Sequence, residues 1–228
     1  MITNLNFKPL ISSSVEDYLK AIFQLSSEDE EKKAGTNQLA EYLGIKPASV
    51  SVMLKKLRTR ELVSYEKYGR IGLTAKGWDI AVELIRRHRL WETFLYEKLN
   101  FSWDEVHEVA HDLEHIQSDK LIKELDKHLG YPSHDPHGHV IPDEKGNFNK
   151  DERVLLFNLK QGQKCKLVSV RDSSAEFLKY VTQLGLALST EIEVKEIREF
   201  DGSLLLTYDD RKESVSRKFA ENIFVKIL

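Results

Sequence analysis

The segment Val106-His-Glu-Val-Ala-His-Asp-Leu-Glu-His115 places imidazoles at 107, 111 and 115 and a carboxylate at 114. On a helix, residues four apart share a face, so His107, His111 and His115 form one stripe with Glu114 beside it. At ~1.5 Å rise per residue the outer two lie roughly 12 Å apart, too far for one ion whose ligands sit at ~2.1 Å. The stripe is therefore expected to serve two ions: His111, Glu114 and His115 converge on one, and His107 turns towards another. His88 and Glu92, again four apart on the preceding helical segment, meet His107 if the two helices pack antiparallel, as bundle metal sites do. Asp17, on an N-terminal helix and next to its apolar stripe, is the candidate that completes the first site. A lone histidine or glutamate on a helix is ordinarily solvated or hydrogen-bonded. Six at matched spacing on consecutive helices point instead to bound divalent metal.

The rest of the composition narrows the setting. All eight histidines lie between His88 and His139, and only His128, in the Lys-rich DKHLGYP, reads as a solvated helix terminus. Cys165 is the single cysteine, which excludes a disulfide framework or a thiolate zinc cluster and is expected to be a buried free thiol. No apolar run approaches the roughly 20 residues of a membrane span, and Met1–Ser14 lacks a signal peptide's basic start, so a cytoplasmic protein without membrane partners is expected. The net charge of −3 is uninformative, but Gly44–Lys76 carries eight Lys or Arg against two Glu. That local excess falls where a DNA-reading motif appears.

The elements that must position these residues follow from periodicity. Val15–Leu25 reads as an amphipathic helix with Ser13 or Ser14 as N-cap, and Ser26–Lys33 as an acidic loop. A short helix runs from Thr36 to Leu43, Gly44 ends it, and a third begins at Pro47. Leu62–Thr74 reads as two strands around a turn at Gly69, with Thr74 capping the next helix. This is the order of a winged helix-turn-helix. Two long helices, Ala75–Leu99 and Asp104–Leu129, carry broad apolar faces that suggest a dimer interface. Tyr131–Asn149 reads as a tethered loop and linker. Beyond Asp151, short alternating runs at Lys164–Val170, Thr190–Ile197, Ser203–Tyr208 and Ile223–Ile227, with a helix around Glu176–Leu184, suggest a small antiparallel β-barrel. The expected class is mainly α with a small β domain: a winged helix-turn-helix over 1–75, a helical metal-binding and dimerisation domain with linker over 76–150, and an SH3-like barrel over 151–228.

With these residues in place, the whole chain resembles the diphtheria-toxin-repressor family of metal-dependent regulators. The likeness rests on Gly44-Ile-Lys-Pro-Ala-Ser-Val-Ser, Arg86-Arg-His-Arg-Leu-Trp-Glu92, Val106–His115, Asp135-Pro-His-Gly-His-Val-Ile-Pro142 and Tyr180-Val-Thr-Gln-Leu-Gly-Leu. The resemblance implies a primary site from Asp17, His111, Glu114 and His115. It also implies an ancillary site from His88, Glu92 and His107 with a further ligand from the C-terminal domain, for which Glu176 is the candidate. Asp135 and His137 match a loop that in some relatives supplies a second site with Glu92, and form an alternative ancillary set. Iron-sensing members carry sulfur ligands at the positions of Asp17 and His111, and the manganese branch usually carries carboxylates at those of His111 and Lys20. Hard oxygen and imidazole donors suit Mn(II) first and Fe(II) second.

The expected activity is metal-dependent repression of metal-homeostasis genes by a homodimer on a palindromic operator, with no catalysis. Lys46, Ala48, Ser49, Ser51 and Val52 occupy the reading helix's exposed N-terminal end, while Lys55, Lys56, Arg58 and Arg70 face phosphates. Val50, Met53, Leu54 and Leu57 read as core. Two other readings compete: a winged-helix regulator of a small molecule with structural histidines, and a di-metal hydrolase. The basic winged segment and the lack of a nucleophile motif count against the hydrolase.

Overall fold

The computed structural model describes residues 11–27, 35–65, 70–149 and 152–228. They form two compact units: the described residues up to Arg87 with 114–117 and 144–146, and the described residues of 88–113, 118–143 and 147–228.

In the first unit, helix α1 (Ser13–Ser27) starts where the Ser12 carbonyl accepts from the amides of Val15 and Glu16, one residue ahead of the expected cap. It buries Val15, Leu19, Ile22 and Phe23, together with the charged Glu16 and Lys20. Helix α2 (Thr36–Tyr42) ends at Gly44, whose φ of +64° is the left-handed conformation that glycine adopts without strain. Helix α3 (Pro47–Thr59) opens on Pro47 and packs Val50, Leu54 and Leu57 inward, with Met53 half-buried. Strands β1 (Val63–Tyr65) and β2 (Ile71–Leu73) pair antiparallel, Val63 opposite Leu73. The turn expected at Gly69 lies outside the described residues, as does most of the acidic loop. Helix α4 (Ala75–Leu99) begins where the Thr74 hydroxyl accepts from the Gly77 amide, as its sequence implies.

The second unit takes α4 from His88 onward. The single helix expected over Asp104–Leu129 is instead two, α5 (Val106–Leu113) and α6 (Asp119–His128). The Ser118 hydroxyl accepts from the Leu121 amide and starts α6 afresh. Glu114–Gln117 between them belong to the first unit, where Glu114 is fully buried and the Gln117 amide reaches the Ile11 carbonyl at 2.8 Å. Leu90, Trp91, Leu95, Val106, Ala110, Ile122, Leu125 and Ile141 share one core. The segment read as a linker is packed: Asp135, His137, Val140 and Ile141 are all buried.

The C-terminal part is an antiparallel sheet. Its strands are β3 (Val154–Leu155), β4 (Lys164–Val170), β5 (Glu191–Ile197), β6 (Leu204–Tyr208), β7 (Arg211–Val215) and β8 (Ile223–Ile227). Among the described residues their order is β3-β8-β4-β5-β6-β7. The β4–β8 register shifts between Leu167 and Ser169. Helix α7 (Ala175–Gln183), capped by Ser174, covers the core, and α8 (Arg217–Ala220) precedes β8. Cys165 is a buried free thiol at the centre of this core, and burial pushes its pKa up to about 11.

Candidate metal centres and DNA-reading face

In the first unit, Asp17, Glu114 and His115 each offer one donor atom within 4.8 Å of the others. Ligands ~2.1 Å from a common ion lie up to ~4.2 Å apart, so a small contraction suffices to hold one. His115 Nε2 lies 3.1 Å from Asp17 Oδ1 and 3.9 Å from Glu114 Oε1. Two residues that sequence reasoning did not assign fix these groups from behind. Glu16 Oε2 lies 2.8 Å from His115 Nδ1, which puts the ring's hydrogen on Nδ1 and turns the Nε2 lone pair to the carboxylates. Lys20 Nζ donates to Glu114 Oε2 at 2.6 Å, while Oε1 is the oxygen that faces His115 Nε2. Glu16 is held in turn by Arg87, whose guanidinium donates at 2.7 Å. His111 falls in the second unit, exposed on the last turn of α5, three residues ahead of Glu114.

In the second unit His88, Glu92 and His107 come together as their spacing predicts. Glu92 Oε1 is 3.0 Å from His88 Nε2 and 3.1 Å from His107 Nδ1. The same oxygen is 3.5 Å from His137 Nδ1. Burial alone raises the pKa of Glu92, but the charge of His88 and hydrogen bonds from His107, His137 and His88 outweigh it and hold the carboxyl well below its ordinary range. Asp135 and His137 join His139 in a third group whose donor atoms also lie within 4.8 Å of one another. Burial opposes charging of His137, yet the Glu92 carboxylate, Asp135 and the Trp103 carbonyl raise its pKa to about 9. Glu176 is exposed on the first turn of α7 and stands in none of the three groups.

Buried, converging oxygens and imidazoles of this kind fit a divalent cation. So does the fully buried His137, whose Nδ1 faces the Glu92 carboxylate at 3.5 Å.

The α3 N-cap Lys46 and, on the helix, Ala48, Ser49, Ser51, Val52, Lys55, Lys56 and Arg58 are all exposed, as is Arg70 at the entry to β2. Ser51 Oγ donates to the Pro47 carbonyl at 3.1 Å, which leaves its oxygen lone pairs outward. Val52, 57% exposed, is an apolar contact on a surface otherwise basic and polar. That mixture suits a helix in the major groove, where apolar side chains meet thymine methyls.

Three family models match the chain: "Iron dependent repressor, N-terminal DNA binding domain" over residues 11–71, "Iron dependent repressor, metal binding and dimerisation domain" over 74–143, and "FeoA domain" over 154–227. An HTH-type transcriptional regulator of Methanocaldococcus jannaschii is 37% identical over 115 residues, covering 50% of this chain and 91% of that one. The HTH-type transcriptional regulator MntR of Bacillus subtilis is 33% identical over 132 residues, covering 58% and 82%. A solved manganese-dependent transcriptional repressor in complex with manganese superposes with a TM-score of 0.87 at 33% identity, covering 94% of this chain and 100% of the other.

Proposed function

Since this chain belongs to the diphtheria-toxin-repressor family of metal-dependent transcriptional repressors, we propose that Mn(II) is the ion to which it responds. Asp17, His111, Glu114 and His115 form the proposed first site. The observation that carries the reading is the meeting of Asp17, on a helix of the winged unit, with Glu114 and His115. His111 is added on its spacing to Glu114 and His115. His88, Glu92 and His107 form the proposed second site, where Asp135 and His137 also bear on Glu92. The donors are hard oxygens and borderline imidazoles, with no thiolate. That set suits Mn(II), and Fe(II) after it.

When bound, the ion supplies charge neutralisation and no chemistry. Glu114 and His115 hold it against Asp17, so occupation favours the arrangement of α1 in which the reading helix is competent. Turning a mostly silent population into a mostly competent one takes ~10⁴-fold tighter metal binding to the competent form, about 5.5 kcal/mol. The operator is proposed to be palindromic, read by two copies joined through the helical part, in the cytoplasm. The exposed apolar side chains Tyr96, Leu99, Leu121 and Tyr131 support such a pairing. Fluorescence anisotropy of labelled duplex, titrated with Mn(II), Fe(II), Co(II) and Zn(II), tests the reading. Metal-independent binding would contradict it, and a response to Fe(II) stronger than to Mn(II) would overturn the choice of ion.

Two expected results belong here. Lys56→Ala weakens binding to every duplex alike and makes the salt slope shallower by about one counterion, read from anisotropy at several salt concentrations. An unchanged slope removes Lys56 from the phosphate contacts. The second concerns protons. His137 keeps its ring charged up to about pH 9, so a cation reaching Nδ1 at neutral pH must displace a proton. Affinity at that group then rises with pH, by up to about tenfold per unit below that pKa. Calorimetry in buffers of unlike ionisation enthalpy should read about one proton released per ion near pH 7. Without metal the sign reverses: the stability that charged His137 contributes is complete below about pH 6.5 and is lost as the pH rises through about 9.

A further inference from the structure

Helices α1 and α3 leave a cleft of about 380 Å³ between them. Ser14 and Asp17, one helical turn apart on α1, line it from one side, and Ser49, Val52 and Lys56, spaced by whole turns on α3, line it from the other. Its α3 side is therefore part of the surface that carries the reading residues. Ser14, Ser49 and Lys56 are exposed. Two hydroxyls and an ammonium around one opening are the donor set of an oxyanion, with charge from the lysine and hydrogen bonds from the serines. The space far exceeds the ~30 Å³ of one water, so a phosphodiester group can enter.

Asp17 opposes such a ligand. Its side chain keeps 29% of its surface and lies 3.1 Å from His115 Nε2, so one carboxylate belongs both to the proposed first site and to the cleft wall. Glu16 and Glu114, by contrast, are buried and do not line the cleft. Like charges that share one small cleft repel more strongly than in open water, because less solvent lies between them.

We propose that this cleft seats a backbone phosphate of the duplex, held by Lys56 with Ser14 and Ser49, and that an ion on Asp17 is what admits it. A divalent ion held by this carboxylate adds two positive charges to the wall that faces the phosphate. The wall then attracts where it had repelled, and metal acts on DNA affinity by charge at the contact as well as through the arrangement of α1. The inference rests on the reading that this chain responds to Mn(II) through its first site.

Anisotropy of the full chain on a labelled duplex tests it, in chelator-treated buffer and with saturating Mn(II). A duplex of mixed sequence serves, since a phosphate contact carries no sequence information. Asp17→Asn keeps the shape and removes the charge. Its metal-free binding should be about tenfold tighter than that of the unmodified chain, and the gain should shrink as salt is raised. Asp17→Glu keeps the charge and should gain nothing. In a Lys56→Ala background the gain from Asp17→Asn should fall below about threefold, because both groups act on one phosphate. The unmodified chain supplies a second measurement: Mn(II) should steepen its salt slope by about one counterion per copy. Asp17→Asn binding no tighter than the unmodified chain, Asp17→Glu gaining as much, or a salt slope that Mn(II) leaves unchanged would each overturn the phosphate seat, provided Mn(II) still tightens the unmodified chain on the duplex. An unmodified chain whose duplex binding ignores Mn(II) would instead overturn the functional reading beneath it.

Discussion

Replacing His111 and His115 together by alanine should leave duplex binding deaf to Mn(II). The two imidazoles are half of the proposed first ligand set, and the carboxylates of Asp17 and Glu114 that remain compete with water on nearly equal terms for so strongly hydrated an ion. The ~10⁴-fold preference that a full switch requires cannot survive their loss. In anisotropy titrations the unmodified chain should tighten on a duplex by roughly 10²-fold with Mn(II), within the usual range of allosteric coupling, and the double variant by less than about twofold. The fold should tolerate the change, because His111 is exposed on the last turn of α5 and His115 keeps 19% of its side chain accessible. Metal-free binding should also be unaltered, since the phosphate attraction proposed for the exposed Lys55 and Lys56 depends on neither histidine. His107→Ala, which touches the other group through Glu92, should reduce the response without abolishing it. A double variant that kept the full metal dependence would remove the first site from the switch.

What was legible in the sequence was what a helix makes periodic. His88 with Glu92, and His107 with His111 and His115, are spaced by the helical repeat, so their common faces follow from residue numbers. The strands at Lys164–Val170 and Ile223–Ile227 stand where alternation put them. Strand β7 escaped notice because Arg-Lys-Glu-Ser-Val has no apolar alternation; it is an edge strand whose charged residues face water. The break between α5 and α6 was hidden because the apolar pattern runs through it. The groups behind the proposed metal ligands were hidden for another reason. Glu16, Lys20 and Arg87 look like solvated helix positions, and their burial depends on partners 71 to 99 residues away in sequence. His139 stood in view four residues after Asp135, but a loop has no period that says which of its side chains converge. Glu176 was expected as a ligand from resemblance alone, and it lies exposed on the first turn of α7, outside the three converging groups.

Glu16 is the position where the largest loss of stability is expected, and two roles must be told apart there. Its carboxylate is 2% exposed and faces Arg87 at 2.7 Å, Gln117 at 3.2 Å and His115 at 2.8 Å. Arg87 is equally enclosed, with Nε and Nη1 making no hydrogen bond among the described residues. Glu16→Ala would leave that guanidinium buried without its anion, a loss of about 3–5 kcal/mol, seen as a lower denaturant midpoint of the metal-free protein. Glu16→Gln keeps the shape but not the charge. Its amide cannot accept from both the guanidinium and His115 Nδ1, so the imidazole is no longer held with Nε2 towards Asp17. Mn(II) affinity at this site should fall about 10–100-fold, as it does when the partner behind a metal-bound histidine is lost. A Glu16→Leu, Arg87→Met double variant separates the roles, because well-packed apolar residues commonly replace a buried ion pair at little cost in stability. Stability should return in that variant while Mn(II) affinity stays low. Recovery of both would mean that Glu16 only neutralises Arg87 and that His115 keeps its orientation without it.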